Sequence, residues 1–290
     1  MCRWAAYLGT PIYLEELLSI PGHSLIDQSR AATECKTATN ADGFGVAWYG
    51  EKPEPGLYRD VFPAWSDPNL ALLAHTVRSG AFLAHVRAST GAATSRNNCH
   101  PFSHGRWSFM HNGQIGGFGG FRRSADMGVS EALYPFRRGA TDSELLFLYA
   151  LEAGLDTDPM GAMIGAHRTL EAMSVAKGAA PHLRSSAAWS CGARLYALRL
   201  SSDHIAPSVY YRWSDRCNGW AVVSEPLEVD QDGWTELPPG HGAMFEEERV
   251  EVIKIAASRR EVPPPAVSCR DVSPPDVSPP EVSRREALRP

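Results

Sequence analysis

Residues 1–9 read MCRWAAYLG, and this stretch decides how the rest of the chain is interpreted. Cys2 follows Met1, and its small side chain permits an aminopeptidase to remove the methionine. Cys2 would then carry both a thiol and a free α-amine, which titrates at about pH 8. Such an amine can take the proton of the thiol and generate a thiolate nucleophile. The following residues, 3–9, predict the start of a β-strand.

Composition sets the class of protein. The 290 residues are 43% hydrophobic and 21% charged, which predicts a soluble globular protein with a substantial core. The net charge of -5 shows no basic bias, so nucleic acid is not an expected partner. No apolar run reaches the length of a membrane span, and the N-terminus does not resemble a signal peptide. We therefore expect a cytoplasmic protein with reduced cysteines.

The cysteines give no metal signature. They are scattered, without Cys-x-x-Cys or Cys/His spacing of the kind that binds zinc, so no metal is expected. The chain contains six of them, at positions 2, 35, 99, 191, 217 and 269.

The domain organisation is predicted from a change in composition near residue 257. Residues 2–257 form the expected folded body, and residues 258–290 form a tail that repeats Asp-Val-Ser-Pro-Pro. Such a tail has few core-forming side chains, which predicts disorder, with a docking motif as the alternative.

The order of predicted elements indicates an α+β architecture rather than a βαβ repeat. Three early strands are followed by two helices, over 143–154 and 159–178, for which Thr141 or Asp142 is a plausible N-cap. Five short strands follow. The predicted strands before the helices cover 43–49, 81–87 and 106–112, and those after them cover 194–200, 208–212, 220–224, 242–247 and 250–255.

Three short polar clusters lie at predicted element ends, where loops on a rigid scaffold expose chemistry. Arg87 closes a strand and could bind a carboxylate with two hydrogen bonds, or form an ordinary surface ion pair. Asn112 and Gly113 stand at the end of another strand and could donate two N–H groups to an oxyanion, or form a simple turn. Asp142 opens the first long helix and could bind an ammonium group, a role compatible with N-capping.

A fourth cluster is Asn-Cys-His-Pro-Phe at 98–102. His100 could be a general acid or a ligand. Because no second metal-type residue stands at a fitting spacing, the favoured interpretation is a hydrogen-bonded structural histidine.

Together the clusters predict one ligand shape. A thiol nucleophile, a carboxylate-binding Arg87, an oxyanion hole and an ammonium-binding Asp142 match an amino acid whose side chain ends in a carboxamide. Glutamine, or any γ-glutamyl amide, fits this description.

Cys2, AHVRAST (84–90), HNGQI (111–115) and GATDSE (139–144), in this order, resemble the class II glutamine amidotransferases. That resemblance implies the N-terminal-nucleophile hydrolase fold, a four-layer αββα sandwich of two antiparallel sheets. It implies Cys2 as the nucleophile and its amine as the base. It further implies Arg87 and Asp142 as ligands of the substrate head group, and Asn112 and Gly113 as the oxyanion hole.

Five further segments resemble stand-alone members of that family, including the ergothioneine-pathway γ-glutamyl hydrolase and the amidase subunit of a glutathione-degrading complex. Two departures concern the substrate: Trp4 stands where histidine or phenylalanine is common, and Cys191-Gly192 where Asp-Gly is usual. The five segments are MCRWAAYLG (1–9), HSLIDQS (23–29), NADGFGVAWY (40–49), NCHPF (98–102) and VVSEPL (222–227).

The resemblance predicts hydrolysis of a γ-glutamyl amide through a Cys2 thioester, with release of glutamate and without a cofactor. Because no second folded domain is expected after residue 257, a partner subunit could take the ammonia for a synthase. The chain could instead be a non-catalytic regulatory subunit. It could also hydrolyse a non-glutamyl amide, although the pair of Arg87 and Asp142 argues for an amino-acid head group.

The glycine-rich segment 116–139 lies between the predicted oxyanion hole and Asp142, and its glycines predict a mobile loop. Arg122, Arg123, Arg137 and Arg138 either contact an anionic leaving group or form a solvated, charged surface.

Overall fold

The computed structural model describes residues 2–33, 39–89, 93–228 and 232–256. The chain divides into two units, Met1–Ser258 and Arg259–Pro290, and every described residue belongs to the first. The predicted tail at 258–290 lies outside the described residues, so the domain boundary near 257 stays a prediction. No helix in the described ranges is long and apolar enough to span a bilayer.

The strands of the described residues form two antiparallel sheets. The first sheet has seven strands in the order β11-β9-β10-β1-β4-β2-β3. Its strands are β1 (Arg3–Tyr13), β2 (Phe44–Trp48), β3 (Gly56–Asp60), β4 (Arg78–Val86), β9 (Tyr210–Ser214), β10 (Gly219–Val223) and β11 (Thr235–Glu236).

The second sheet has six strands in the order β13-β12-β8-β7-β6-β5. Its strands are β5 (Phe102–His104), β6 (Trp107–Ile115), β7 (Leu183–Ser190), β8 (Leu195–Ser201), β12 (His241–Glu246) and β13 (Arg249–Lys254).

Helices cover the outer face of each sheet. The helices against the first sheet are α1 (Glu15–Leu18), α2 (Leu25–Arg30) and α3 (Pro68–Thr76), and those against the second are α4 (Phe118–Asp126), α5 (Asp142–Glu152) and α6 (Pro159–Lys177). One apolar core lies under each helical layer, and a third lies between the sheets. The prediction of a four-layer α+β sandwich is confirmed.

Strand β1 shows why the sequence folds in this way. Side chains alternate between the two faces of a strand, so Ala5 and Tyr7 enter the core beneath the first helical layer. Trp4, Ala6 and Leu8 point to the opposite face and enter the core between the sheets. Both faces of β1 are therefore buried, which explains its nearly continuous apolar run.

One prediction needs correction, and one strand was missed. The mobile loop predicted over 116–139 is wrong, because residues Phe118–Asp126 form α4, whose Phe121 and Ala125 are buried. The Tyr149 hydroxyl donates to the Ala125 carbonyl at 3.0 Å and ties α4 to α5. Strand β7 was not predicted, although it pairs with both β6 and β8.

Tyr49, directly after β2, joins the two sheets through its hydroxyl. Its oxygen lies 2.6 Å from the Ser190 carbonyl oxygen and 2.8 Å from Ser108 Oγ, both in the second sheet. We expect Tyr49→Phe to lower the free energy of unfolding by about 1–3 kcal/mol, because buried polar groups lose their partner. Urea denaturation followed by tryptophan fluorescence measures this difference.

Tyr211→Phe is the matched control. Tyr211 also packs between the sheets, against Phe245 at a centroid distance of 5.5 Å, but its hydroxyl has no hydrogen-bond partner within the described ranges. We expect its substitution to change the free energy of unfolding by less than about 0.5 kcal/mol. Equal losses for the two variants would contradict the bridging role of Tyr49.

Candidate active site

The pairing of β1 with β4 sets the position of Cys2. Arg3 pairs with Val86, so Cys2 lies beside the residues that follow β4. The backbone N–H of Ala88 donates to Cys2 Sγ at 3.4 Å, and Sγ lies 3.5 Å from the Ala88 carbonyl oxygen. Cys2 is partly exposed. A partly exposed thiol thus stands next to the segment that carries Arg87.

Arg87 is 4% exposed and is held by the turn that precedes β2. Its guanidinium donates to the Asp42 carbonyl at 3.2 Å and to Ser89 Oγ at 3.1 Å. Its backbone N–H donates to the Gly43 carbonyl at 2.8 Å. Gly43 has a φ of 117°, and a Cβ there would lie 2.6 Å from Cys99 Sγ, so only glycine suits this turn.

Asn112 and Gly113 lie inside β6, where they pair with Ser186 and Ser185 of β7. The strand was predicted to end at residue 112, whereas β6 continues to Ile115. Asn112 is 1% exposed, and neither its side-chain nitrogen nor its side-chain oxygen has a hydrogen-bond partner within the described ranges. A buried amide of this kind can bind a group on a ligand.

Asp142 is the first residue of α5, and Thr141 is the N-cap, since its hydroxyl accepts from the Glu144 N–H at 3.1 Å. One carboxylate oxygen of Asp142 accepts from the Ile115 N–H at 2.8 Å, and the other accepts from the Ser143 N–H at 2.8 Å. Burial raises the pKa of Asp142, and these N–H groups partly offset that effect. A cation beside this carboxylate would favour its ionised form.

A second hydrogen bond holds β6 against α5. His111 Nδ1 lies 2.9 Å from Ser143 Oγ, and the bond between Ile115 and Asp142 is four residues further along the strand. Asn112 and Gly113 lie between these two anchors. The structure therefore brings Asn112, Gly113 and Asp142 together on one rigid unit.

Trp4 joins this unit to β1, the strand that begins directly after Cys2. Its indole N–H donates to Ser186 Oγ at 3.3 Å, and the Ser186 hydroxyl donates to the Asn112 carbonyl at 3.4 Å. Trp4 stands two residues after Cys2, and Ser186 is the cross-strand partner of Asn112. The two groups of predicted site residues are thus linked across the interface between the sheets.

Comparison with known proteins identifies the family. A family model described as glutamine amidotransferases class-II matches residues 24–184, more than half of the 290 residues. This chain belongs to the class-II glutamine amidotransferase family. The family predicted from the order of the sequence motifs is confirmed.

Two curated relatives of this chain differ in length. A Saccharomyces cerevisiae protein named probable glutamine amidotransferase DUG3 is 40% identical over 161 residues, which cover 52% of this chain and 45% of that protein. The γ-glutamyl-hercynylcysteine sulfoxide hydrolase of Mycolicibacterium smegmatis is 29% identical over 249 residues, which cover 83% of this chain and 94% of that protein. The chain therefore matches less than half the length of the yeast relative.

Solved structures support the same fold. A glutamine aminotransferase class-II domain protein from Silicibacter pomeroyi is 50% identical with a TM-score of 0.71, over 88% of this chain and 100% of that chain. The glutamine PRPP amidotransferase of B. subtilis is 15% identical with a TM-score of 0.59, over 88% of this chain and 49% of that chain. The second likeness concerns the fold alone.

Three buried histidines lie near the predicted site residues. Burial lowers the pKa of His85 to about 3 and of His111 to about 4, and it lowers the pKa of His100 well below its ordinary value. All three imidazoles are therefore neutral near pH 7 and are poor general acids. No group of three or more His, Cys, Asp or Glu side chains in the described ranges could hold a metal ion.

His100 is packed rather than hydrogen-bonded. Its ring centroid lies 4.2 Å from that of His85 and 4.6 Å from that of Phe102. Neither ring nitrogen has a hydrogen-bond partner among the residues that the structure describes. The prediction of a hydrogen-bonded structural histidine is wrong in that respect.

Arg137 is not available to a leaving group. Its side chain is 4% exposed, and its guanidinium pairs with Asp126 at 3.0 Å and with Glu144 at 2.8 Å. Glu144 also accepts from the Gly139 N–H at 2.8 Å, so this cluster fixes the turn that leads into Asp142.

Sequence reasoning missed the residues that hold the predicted ones, namely Asp42, Ser143 and Ser186. Asp42 gave a signal, since it precedes the glycine that opens β2. Ser186 gave none, because a serine within an unpredicted strand has no distinctive pattern.

Gly113 has no room for a side chain. A Cβ there would lie 2.0 Å from the Arg184 carbonyl oxygen and 2.5 Å from His111 Nε2. We expect Gly113→Ala to destabilise the fold by about 1–3 kcal/mol, because the strands must separate, and to reduce turnover by more than tenfold. Thermal unfolding and steady-state kinetics measure the two effects.

Gly119→Ala is the control, because it lies within α4 and a Cβ there would contact nothing within 4 Å. It should stabilise the protein by about 0.5–1 kcal/mol and leave turnover unchanged. A fully active, stable Gly113→Ala enzyme would contradict the close packing of β6 on β7.

Proposed function

We propose that this chain hydrolyses a γ-glutamyl amide bond and that Cys2 is the nucleophile once Met1 has been removed. The observation that carries the proposal is the pairing of β1 with β4, which sets the Cys2 thiol against Ala88, one residue after Arg87. A buried guanidinium on the segment next to the nucleophile suits a substrate that ends in a carboxylate.

The proposed acylation uses the α-amine of Cys2 as the base. The amine takes the thiol proton, and the thiolate attacks the γ-carbonyl carbon. The side-chain amide of Asn112 and the N–H of Gly113 donate to the oxyanion of the tetrahedral intermediate, and each donor contributes about 3–4 kcal/mol. The C–N bond then breaks, and the departing amine takes its proton from the Cys2 ammonium.

Deacylation completes the cycle. A water molecule attacks the γ-glutamyl thioester, the α-amine takes one of its protons, and the C–S bond breaks. The α-ammonium returns that proton to the departing thiolate, which leaves glutamate and the regenerated Cys2 thiol. This sequence requires no metal ion or organic cofactor.

The substrate head group would bind between two separate elements. The planar fork of Arg87 suits the α-carboxylate, and the carboxylate of Asp142 suits the α-ammonium. Both side chains are already oriented, Arg87 by Asp42 and Asp142 by the N–H groups of Ile115 and Ser143. Such preorganisation reduces the entropy lost on binding.

We favour a γ-glutamyl thiol compound as the substrate, because the mycobacterial relatives are named for hydrolysis of γ-glutamyl-hercynylcysteine sulfoxide. We also propose a cytosolic location, since the reaction needs a reduced thiol. A partner subunit remains part of the proposal as the acceptor of ammonia, should glutamine be the substrate.

The test is mass spectrometry after treatment with a diazo-ketone analogue of glutamine. We expect a single adduct on an N-terminal Cys2, because the analogue presents an electrophilic carbon to the thiolate beside the head-group site. Cys2→Ser should abolish labelling, whereas Cys217→Ser, at another free cysteine, should label fully. Retained Met1 without an adduct would contradict the proposal.

Head-group recognition predicts a second result. We expect Arg87→Met and Asp142→Asn each to lower kcat/KM for a γ-glutamyl substrate by about 10- to 100-fold, because each removes a charged hydrogen bond. Iodoacetamide, which lacks the head group, should still alkylate Cys2 in both variants.

Asp156→Asn is the matched control for charge removal, since Asp156 is exposed and pairs with Arg106 at 2.8 Å. Its kcat/KM should equal that of the wild type. Unchanged kcat/KM in Asp142→Asn would exclude an ammonium-binding role for that carboxylate.

A further inference from the structure

Two segments that the proposed chemistry does not use, residues 23–29 and 222–227, meet at Glu225. The Glu225 side chain is 1% exposed. Its Oε1 lies 2.6 Å from His23 Nε2 and accepts from the Thr33 hydroxyl at 2.6 Å and from the Thr33 N–H at 2.9 Å. The carboxylate is thus fixed by several short hydrogen bonds.

The backbone around Glu225 is fixed as well. Gln28 is fully buried, and its side-chain nitrogen lies 3.0 Å from the His23 carbonyl oxygen, 3.2 Å from that of Glu225 and 3.2 Å from that of Pro226. One amide therefore binds both segments. The backbone position of Glu225 is therefore fixed by the fold.

The other carboxylate oxygen of Glu225 reaches the residue next to the nucleophile. Oε2 lies 2.6 Å from Arg3 Nε, and the Arg3 side chain is also 1% exposed. Arg3 Nη1 donates to the carbonyl oxygen of Cys2 at 3.1 Å. A continuous series of contacts therefore runs from Glu225 through Arg3 to Cys2.

The charge of Glu225 is what holds Arg3 in this series of contacts. Burial alone would raise the pKa of Glu225, but hydrogen bonds from Thr33 and His23 and the charge of Arg3 outweigh burial and lower it to about 2. Glu225 is therefore ionised near pH 7. Removing one member of a buried ion pair leaves an uncompensated charge, so the position of Arg3 depends on Glu225.

We propose that Glu225 is a positioning residue for the nucleophile, which acts through Arg3 to fix the Cys2 carbonyl and so the directions of the thiol and the α-amine. This inference rests on the proposed function. β1 begins at Arg3, so Cys2 stands one residue outside the strand. Its orientation therefore depends on side-chain contacts, and Arg3 Nη1 supplies one of them.

Glu225→Gln tests the proposal, because it keeps the shape of the side chain and removes its charge. We expect kcat to fall about 10- to 100-fold when it is normalised to folded, Met1-processed protein. KM should stay within about twofold, since Arg87 and Asp142 bind the head group independently. Lost stability alone would lower the folded fraction and leave the normalised kcat unchanged.

A double variant separates action through Arg3 from other effects. In an Arg3→Met background, Glu225→Gln should cause no further loss of kcat, because the connection to Cys2 is already absent. Independent losses that multiply would overturn the proposal. Glu236→Gln, which breaks the Arg199–Glu236 pair elsewhere, should leave kcat unchanged.

If Glu225→Gln does not fold, Thr33→Val serves in its place. It removes one hydroxyl contact from Glu225 and should lower the normalised kcat about two- to fivefold, whereas a wild-type kcat would overturn the proposal. The two proposals fail in different ways. If the wild type is active and forms the Cys2 adduct, but Glu225→Gln keeps the wild-type kcat, only the positioning role is overturned. A wild type without turnover or adduct overturns the proposed function itself.

Discussion

The pairing of β1 with β4 on one edge and with β10 on the other is the constraint on which the site depends. Both faces of β1 are buried, so a shift of one residue would exchange the side chains of two cores. The register is therefore strongly determined. Because Arg3 is fixed opposite Val86, the backbone pairing places Cys2 beside Ala88, and the side-chain contacts described above are proposed to orient it.

The second sheet contributes a unit that is rigid for different reasons. A hydrogen bond between His111 Nδ1 and Ser143 Oγ, and one from the backbone N–H of Ile115 to the Asp142 carboxylate, fasten β6 to α5 on either side of Asn112 and Gly113. The polar link between the sheets at this end, from Trp4 to Ser186, is long at 3.3 Å. Apolar packing between the sheets must therefore supply most of the force that holds the two units together.

The sequence predicted the elements with clear periodicity and failed where side chains obscured it. The apolar helix α5 and the strands β1, β4 and β6 were predicted because their buried faces are apolar. Strand β7 was missed because three of its buried residues are serines at 185, 186 and 190. Helix α4 was mistaken for a loop because local glycine content outweighed Phe121 and Ala125, whose burial depends on distant partners.

In the site, too, local sequence patterns identified some residues and missed those that depend on distant partners. The predicted residues were found from the order of short motifs, and their roles stay predictions. The residues that orient them, such as Asp42, act across pairings that bring remote segments together, and a single sequence does not display those pairings.

Some polar groups of the site have hydrogen-bond partners in the free protein, and others do not. Asp142 is surrounded by donors before any ligand binds, whereas the buried amide of Asn112 has no partner within the described ranges. An unpaired buried amide destabilises the folded protein by about 1–3 kcal/mol. This cost is removed only when the oxyanion forms and accepts the amide's hydrogen bond. The orienting groups are thus fixed in the free protein, while the proposed oxyanion donor gains its partner during the reaction. This difference favours the transition state over the bound substrate.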